Sequence, residues 1–155
     1  MIALLLMLAT IDTAHPGEEP VAPYEVRDAN AGATPFRDPR LLAAFHGREG
    51  IARIANSFVD LATTDPRITE IFQGHDLVRL RRVINEQFCY ILGGGCTYTG
   101  RDMKSSHKDL GAQTVDFIAI VVNLQKAMRK EGVPFRAQNR FLAKLAPMKR
   151  DTVER

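Results

Sequence analysis

The stretch from Phe88 to His107, FCYILGGGCTYTGRDMKSSH, decides the fold of this chain. It begins at the end of an apolar stripe with helical spacing, and the three glycines at 93–95 follow directly. Consecutive glycines make continuation of a helix costly in backbone entropy, so we expect the helix to end there. After an irregular connection, Met103 and His107 lie four residues apart and share one face of a predicted helical turn. The stretch therefore predicts a helix, a break and a short helix that presents a single imidazole.

Helical periodicity continues on both sides of this stretch, from residue 41 onward. Apolar residues recur at steps of three and four, and no segment alternates between hairpin turns as a strand would. Asp65-Pro66 supplies an N-cap and a first-turn proline, which predicts a short helix running toward Phe72. We therefore expect a compact all-α domain of about five helices. The apolar stripes are Ile51, Ile54, Phe58 and Leu61; Leu77, Leu80, Ile84, Phe88 and Ile91; Phe117, Ile120, Val121, Leu124 and Met128; and Phe141, Leu142, Leu145 and Met148.

The composition is that of a soluble globular domain, with 45% hydrophobic and 25% charged residues in a chain of 155. The formal net charge of +3 is unevenly spread, because residues 1–40 carry six acidic and three basic side chains. Residues 41–155 are therefore basic, which is a property of nucleic-acid-binding domains. However, Lys and Arg are interspersed with Asp and Glu, and no basic run exceeds two residues. We expect a solvated surface and no nucleic-acid partner.

The N-terminal region reads differently from the rest of the chain. Residues 1–10 are apolar over too short a length to span a bilayer and resemble the apolar part of a signal peptide. No Lys or Arg precedes this stretch, since the first is Arg27. Residues 11–40 are rich in Pro, Gly, Asp and Glu, which predicts a flexible linker. We expect residues 1–40 to be a residual export signal plus linker, with the protein in the periplasm; the alternative is a cytoplasmic protein.

The two cysteines do not decide whether the protein works in an oxidising or a reducing compartment. Cys89 and Cys96 could pair in an oxidising compartment, and they would be free thiols in the cytosol. They do not form a CxxC motif, and the four histidines are dispersed, so neither a zinc site nor a multi-histidine metal centre is favoured.

His107 is the candidate functional residue in a chain without recognised catalytic motifs. The sequence has no P-loop and no GxSxG elbow, and its three glycines are not a dinucleotide fingerprint. His107 shares a predicted helical face with Met103 and Leu110. This spacing fits a core histidine bonded to a carbonyl group, and it also fits the single axial ligand of a haem in an apolar slot. Spacing alone leaves both interpretations open.

The order of landmarks around His107 closely resembles the truncated haemoglobins, group 1 in particular. That family has a helix ending in Gly-Gly, then Tyr-Thr-Gly, a Met, and the proximal His four residues later, as in Tyr98-Thr99-Gly100, Met103 and His107 here. The resemblance covers roughly residues 42–152 and implies a two-over-two helical sandwich around haem b, formed by residues 41–155. Further matches in order and spacing are Gly47 to Ile51, Asp65-Pro66 with Phe72, Gly132-Val133-Pro134 and Leu145-Ala146-Pro147.

The resemblance also implies roles for individual side chains. His107 would ligate the iron and Phe72 would stack on the porphyrin. The other implied haem neighbours are Leu80, Ile84, Phe88, Phe58 and Val59 on the distal side; Met103, Phe117 and Ile120 on the proximal side; and Tyr98, Arg79 and Arg82 at the propionates.

Reversible binding of a diatomic gas is the function that the resemblance implies: oxygen, or nitric oxide or carbon monoxide. The alternative is a gas sensor or a redox module that detoxifies nitric oxide, and a helical interaction module without cofactor is a third reading. We expect a monomeric ligand-binding protein, in which a nitric-oxide dioxygenase activity would be secondary, served by an unidentified reductase.

The distal side departs from the group 1 pattern. Members commonly hold bound oxygen with a Tyr and a Gln, and these positions align with the aliphatic Val59 and Ile84. A buried polar bond to the ligand is worth about 1–3 kcal/mol, and each 1.4 kcal/mol or so changes affinity tenfold. The stripe points Gln87 away from Ile84. We therefore expect fast oxygen dissociation and relatively unhindered binding of carbon monoxide.

Replacing Ile84 with Gln tests this interpretation of the distal side. Ile84→Gln should slow oxygen dissociation by about tenfold, because it restores a donor to the ligand. Ile84→Leu is the matched control, because it changes shape without adding a donor. Stopped-flow measurement of oxygen dissociation decides the question, and an unchanged rate in Ile84→Gln would refute this account of the pocket.

Overall fold

The computed structural model describes residues 14–154, and within them the chain is helical with no strand. The prediction of an all-α fold is confirmed. Short 3-10 turns at Asp28–Ala31, Thr69–Phe72 and Ala146–Met148 supplement the α-helices. Within the described residues the α-helices are α1 (Pro39–Ala44), α2 (Gly47–Thr64), α3 (Leu77–Ile91), α4 (Met103–His107), α5 (Thr114–Glu131), α6 (Phe135–Leu145) and α7 (Lys149–Thr152).

Helix α2 is the centre of the packing, because it contacts both α3 and α5. Its predicted stripe is buried at Ile51, Ile54 and Phe58. A chain of aromatic rings extends from Phe58 through Phe88 to Phe141, with centroid separations of 5.9 and 5.2 Å. Such tilted and edge-to-face contacts add to the free energy gained by burying the rings. The core therefore ties α2, α3 and α6 together, and Leu80 and Ile84 of α3 pack against it.

The corner after α2 differs from the sequence prediction. Asp65 ends α2 as its C-cap, and the predicted short helix is reduced to a turn followed by the 3-10 segment Thr69–Phe72. The Asp65 carboxylate accepts hydrogen bonds from Arg67 and from the buried amide of Asn123 on α5. These bonds, led by those from Arg67, hold the pKa of Asp65 well below its usual range. Asp65 thus keeps its predicted capping role, since its carboxylate also accepts from the amide of Arg67, and the bond from Asn123 makes it a tertiary anchor as well.

The end of α3 is held from two directions. The helix ends at Ile91, and Gly93 adopts a φ of +81° where an added Cβ would lie 2.5 Å from the carbonyl oxygen of Phe36. Glycine is therefore required at this close approach. Cys89 and Cys96 form a disulfide across the glycine turn, which resolves the alternatives that the spacing left open in favour of the paired form. Helix α3, which carries the predicted distal residues and is called the distal helix below, is thereby covalently joined to the connection that leads to α4.

Residues 15–37 form an ordered segment along α3 and the 92–102 connection, and we refer to them as the N-terminal strap. Glu18, whose side chain is 1% exposed, pairs with Arg79 and Arg82 at 3.3 and 2.5 Å. Tyr24 donates its hydroxyl hydrogen to the carbonyl oxygen of Thr99 at 2.7 Å. The strap thus lies against both the distal helix and the connection that leads to His107.

Further backbone hydrogen bonds fix the inner part of the strap. The amide of Tyr98 donates to Asp28 at 2.8 Å, and the amide of Phe36 donates to the carbonyl oxygen of Ile91 at 2.8 Å. The division of the chain at residue 40 stays a prediction, but the strap and the helical body share a continuous set of polar contacts. Composition cannot distinguish a solvated linker from a segment whose polar groups bond across a surface.

The apolar stretch at residues 1–10, which we predict to be a residual export signal, lies outside the described part of the chain. None of the helices in residues 14–154 combines the length and the apolar character that a membrane crossing needs.

Glu131 links the end of α5 to α2. Its carboxylate accepts hydrogen bonds from Arg53, the shortest at 2.7 Å, and it contacts Nδ1 of His46 at 2.9 Å. The Arg53 hydrogen bonds, followed by the one from His46, lower the pKa of Glu131 from 4.5 to about 2. The unfolded carboxyl therefore takes up its proton at a higher pH than the folded one. This carboxylate stabilises the fold fully above pH 4.5, and its contribution falls as the pH decreases toward 2.

We expect Glu131→Gln to lower the free energy of unfolding most at about pH 6, because the wild-type carboxylate is charged there in both states. The gap between variant and wild type should shrink at about pH 3, where the unfolded wild-type carboxyl is protonated. Urea titrations at both pH values measure this, with the exposed Glu70→Gln as the control. A gap that is independent of pH would contradict the assignment.

Candidate functional site

The imidazole of His107 is held in one orientation by its own helix. Nδ1 donates to the carbonyl oxygen of Met103 at 2.7 Å, and a carbonyl can only accept, so Nδ1 carries the hydrogen. This leaves Nε2 as the nitrogen that can ligate a metal. The side chain is half-buried at the end of α4.

Helix α4 is short, and its start is capped. The Asp102 side chain accepts hydrogen bonds from the amide and the hydroxyl of Ser105 at 2.9 and 2.7 Å. This N-cap satisfies helix donors that have no partner within the helix. Five residues do not form a stable isolated helix, so α4 depends on its cap and on the packing of Met103, which is 8% exposed.

The predicted distal residues lie together. Leu80 and Ile84 are half-buried on successive turns of α3, and both pack against the core. Val59, Phe58 and Phe88 are buried behind them, with Val59 only 1% exposed. Val59 and Ile84 are the two positions at which we expect no polar distal group. Both therefore belong to one cluster of aliphatic and aromatic side chains.

The remaining apolar residues predicted at the haem come from three separate elements. Phe72 and Ile120 are half-buried against the core, and Phe117 is half-buried on the first turn of α5. Met103 is buried at the start of α4. Half-buried aromatic and aliphatic side chains on the 3-10 turn and on α3 and α5 are suited to contact a flat apolar ring.

The three residues assigned to the propionates have other partners. Tyr98 is 3% exposed and donates its hydroxyl hydrogen to the carbonyl oxygen of Arg101 at 2.9 Å, and burial raises its pKa. At 3.6 residues per turn, Arg82 lies roughly opposite Leu80 and Ile84 on α3. The role of Tyr98, Arg79 and Arg82 at the propionates stays a prediction. The hydrogen bonds and ion pairs of these three residues account for their positions without a propionate.

Arg82 also bonds to Glu86 and Thr99, and Arg79 bonds to the carbonyl oxygen of Glu19. The hydrogen bond to Glu18 and the neighbouring carboxylates raise the pKa of Arg82, which keeps the guanidinium charged. The outer face of α3 is therefore an ion-pair surface, and its inner face is apolar.

Gln87 is the residue near the site whose contacts the sequence reasoning missed. Its side-chain amide is 6% exposed and donates to the carbonyl oxygen of Ala31 at 2.9 Å, so it is committed to the strap and not to a ligand. Three residues after Ile84 and four before Ile91, Gln87 lies beside the apolar stripe, contrary to the expectation that the stripe points it away from Ile84, and this spacing was a signal that it would be buried.

His107 lines neither of two open surface grooves, although Asp102 and Ser105 at the start of its helix line one of them. One of about 470 Å³ runs between α1 and α6 beside Asp38 and Arg140, and one of about 350 Å³ lies beside Tyr24 and Arg101. Charged side chains line both, so neither has the chemistry of the apolar walls around Leu80 and Ile84.

The donor set fits a haem. One imidazole nitrogen with a fixed tautomer is available as a ligand on α4, and half-buried apolar side chains of α3, α5 and the Phe72 turn pack against the common core. When bound, haem supplies an iron centre that can bind a small gas molecule. His107 would ligate it, and Phe72, Leu80, Ile84 and Ile120 would contact the ring.

These features define a helical protein with a globin type of site, and comparison with known proteins agrees. The sequence model of the bacterial-like globin family matches residues 41–154. A group 1 truncated haemoglobin of Chlamydomonas moewusii is 31% identical over 123 residues, which cover 75% of this chain and 71% of that protein. A second, from Mycolicibacterium paratuberculosis, is 28% identical over 66% of this chain and 75% of that protein.

The solved structures show the same fold. The crystal structure of truncated haemoglobin from Tetrahymena pyriformis in the Fe(III) form superposes with a TM-score of 0.71 at 21% identity, over 74% of this chain and 98% of that one.

The chain therefore belongs to the bacterial-like globins and, among them, to the group 1 truncated haemoglobins. The predicted two-over-two fold is confirmed, and the protein is a haem-binding globin whose function is the binding of diatomic gas.

Proposed function

We propose that His107 is the proximal ligand of the haem iron. The observation that carries the proposal is the hydrogen bond from Nδ1 to Met103, which fixes the tautomer and leaves Nε2 free. Metal-ligating histidines generally donate their other ring hydrogen in this way, which orients the ring and raises its basicity.

The aliphatic distal wall supports a specific mode of gas binding. Val59 and Ile84 offer no hydrogen-bond donor, and Gln87 is held by Ala31. The chain therefore holds its ligand by the iron and by apolar contact alone, so oxygen should leave fast and carbon monoxide should bind with little hindrance. On this proposal the protein works as a monomer, and an unidentified reductase maintains the ferrous iron.

Replacing His107 with glycine tests the proximal assignment. His107→Gly should lose the ligand but keep the apolar walls, so the Soret band should shift or weaken and added imidazole should restore it. The exposed His75→Gly is the matched control, and its spectrum should equal that of the wild type. A His107→Gly protein with an unchanged ferrous spectrum without imidazole would contradict the proposal.

We also infer that the protein works in an oxidising compartment, for which the predicted periplasmic location is one case. The supporting observation is the Cys89–Cys96 disulfide, since disulfides persist in exported proteins and are rare in the cytosol. A loop of this length closed by a disulfide stabilises a fold by roughly 2 kcal/mol in the chain-entropy model, so pairing is of structural value.

Intact-mass measurement on protein recovered from separated cell fractions tests the location. We expect a periplasmic protein that has lost its N-terminal residues and carries no alkylatable thiol before reduction. Full-length cytoplasmic protein with both thiols free would contradict the proposal.

A further inference from the structure

We propose that Gln87 is a positioning residue for the proximal side of the haem. It acts with Gly32 and Met148 to hold Met103, and we refer to Gln87, Gly32, Met148 and the carbonyl group of Ala31 as the Met103 clamp. The inference deepens the proposed function and rests on His107 being the iron ligand.

The side chain of Gln87, on α3, contacts the side chain of Met103. Its Nε2 donates to the carbonyl oxygen of Ala31 at 2.9 Å and lies 3.2 Å from Sδ of Met103 and 3.8 Å from Sδ of Met148. The bond to Ala31 is a full hydrogen bond, whereas thioether sulfur is a weak acceptor. The carbonyl group therefore fixes the amide, and the amide fixes the sulfur of Met103.

Gly32 closes the clamp from the strap. It adopts a φ of +84°, and a Cβ at this position would lie 2.9 Å from Cγ of Met103 and 3.1 Å from Cε of Met148. The backbone of the strap therefore rests directly on both methionine side chains. Ala31, the preceding residue, is fully buried, so this part of the strap belongs to the core.

Met103 transmits this restraint to His107. Its carbonyl oxygen is the acceptor for Nδ1 of His107, so a shift of the Met103 backbone would turn the imidazole. Helix α4 has five residues and cannot resist such a shift by its own hydrogen bonds. The Asp102 cap holds its first turn at the surface, and the Met103 clamp holds it from the interior.

The clamp therefore couples the two sides of the pocket. Gln87 lies one turn from Ile84 on the distal helix, yet its contacts lead to the proximal ligand. Ala31 and Gly32, which composition predicts to be part of a flexible linker, belong to the strap and supply contacts of the clamp.

A matched pair of glutamine variants tests the proposal. Gln87→Leu removes the amide from the clamp, and Gln138→Leu removes an equally buried amide that donates to the carbonyl oxygen of Val133 and not to the clamp. Both lose one buried hydrogen bond, but only Gln87→Leu should affect α4. Three readouts are taken: the iron–histidine stretching frequency of the ferrous holoprotein, the rate of haem loss, and hydrogen exchange in residues 102–107.

In Gln87→Leu we expect a shifted or broadened iron–histidine band, haem loss faster by about fivefold and faster exchange in residues 102–107. Gln138→Leu should lose a similar amount of global stability with none of these changes. Equal behaviour of the two variants in all three readouts would overturn the clamp.

A glycine pair provides the second test and decides the question if Gln87→Leu does not fold. Gly32→Ala places a methyl group against Met103, whereas Gly47→Ala has a φ of +66° with open space around the added Cβ. Both carry the strain of a left-handed backbone, so only the contact with Met103 separates them. We expect the iron–histidine band and the exchange of residues 102–107 to change in Gly32→Ala alone, and identical changes in both variants would refute the proposal.

The two proposals can fail separately. If His107→Gly retains the wild-type ferrous spectrum, the ligand assignment fails whatever the clamp variants show. If His107 is the ligand and the clamp variants match their controls, only the clamp is wrong.

Discussion

The hydrogen bond from Nδ1 of His107 to the carbonyl oxygen of Met103 is the constraint around which this molecule is organised. It sets which ring nitrogen is available and in which direction it points. An imidazole on a helix of only five residues needs support from elsewhere to act as the proposed iron ligand, because such a helix is not stable alone. The support comes from the Asp102 cap and from the packing of Met103 among α3, the strap and the segment that carries Met148.

Helix α3 serves two purposes with its two faces. Leu80 and Ile84 form an apolar surface. On the proposed function, this surface would contact the ring and offer no donor to a bound gas. The opposite face carries Arg79 and Arg82, whose charges are compensated by Glu18 of the strap. Separating charge from the pocket keeps the ligand side apolar, and it also anchors the strap over the distal helix. The disulfide at the end of α3 adds a covalent link between this helix and the connection to α4.

Much of the fold could be predicted from residue patterns that are local in the sequence. The apolar stripes placed α2, α3, α5 and α6, because each helix buries one face and that face repeats with the helical period. The assignment of distal and proximal residues rests on the order of landmarks around Tyr98, Met103 and His107 and stays a prediction. At Asp65-Pro66 the predicted cap is present, because the Asp65 carboxylate accepts from the amide of Arg67, but the segment toward Phe72 is a turn and a 3-10 segment instead of an α-helix. The further bond from Asn123 is a tertiary contact that no local pattern encodes.

The sequence by itself determined that the protein is helical, that one histidine stands out, and that the distal side is aliphatic, since each of these depends on residue type and spacing along the chain. Only the tertiary structure decided that the strap is part of the body, that Cys89 and Cys96 pair, and that Gln87 is committed to Ala31 and Met103. The physical reason is that buried polar groups must find partners, and those partners lie more than fifty residues away for Gln87 and Asp65. Periodicity predicts which side of a helix is buried, but it does not contain the distant partner.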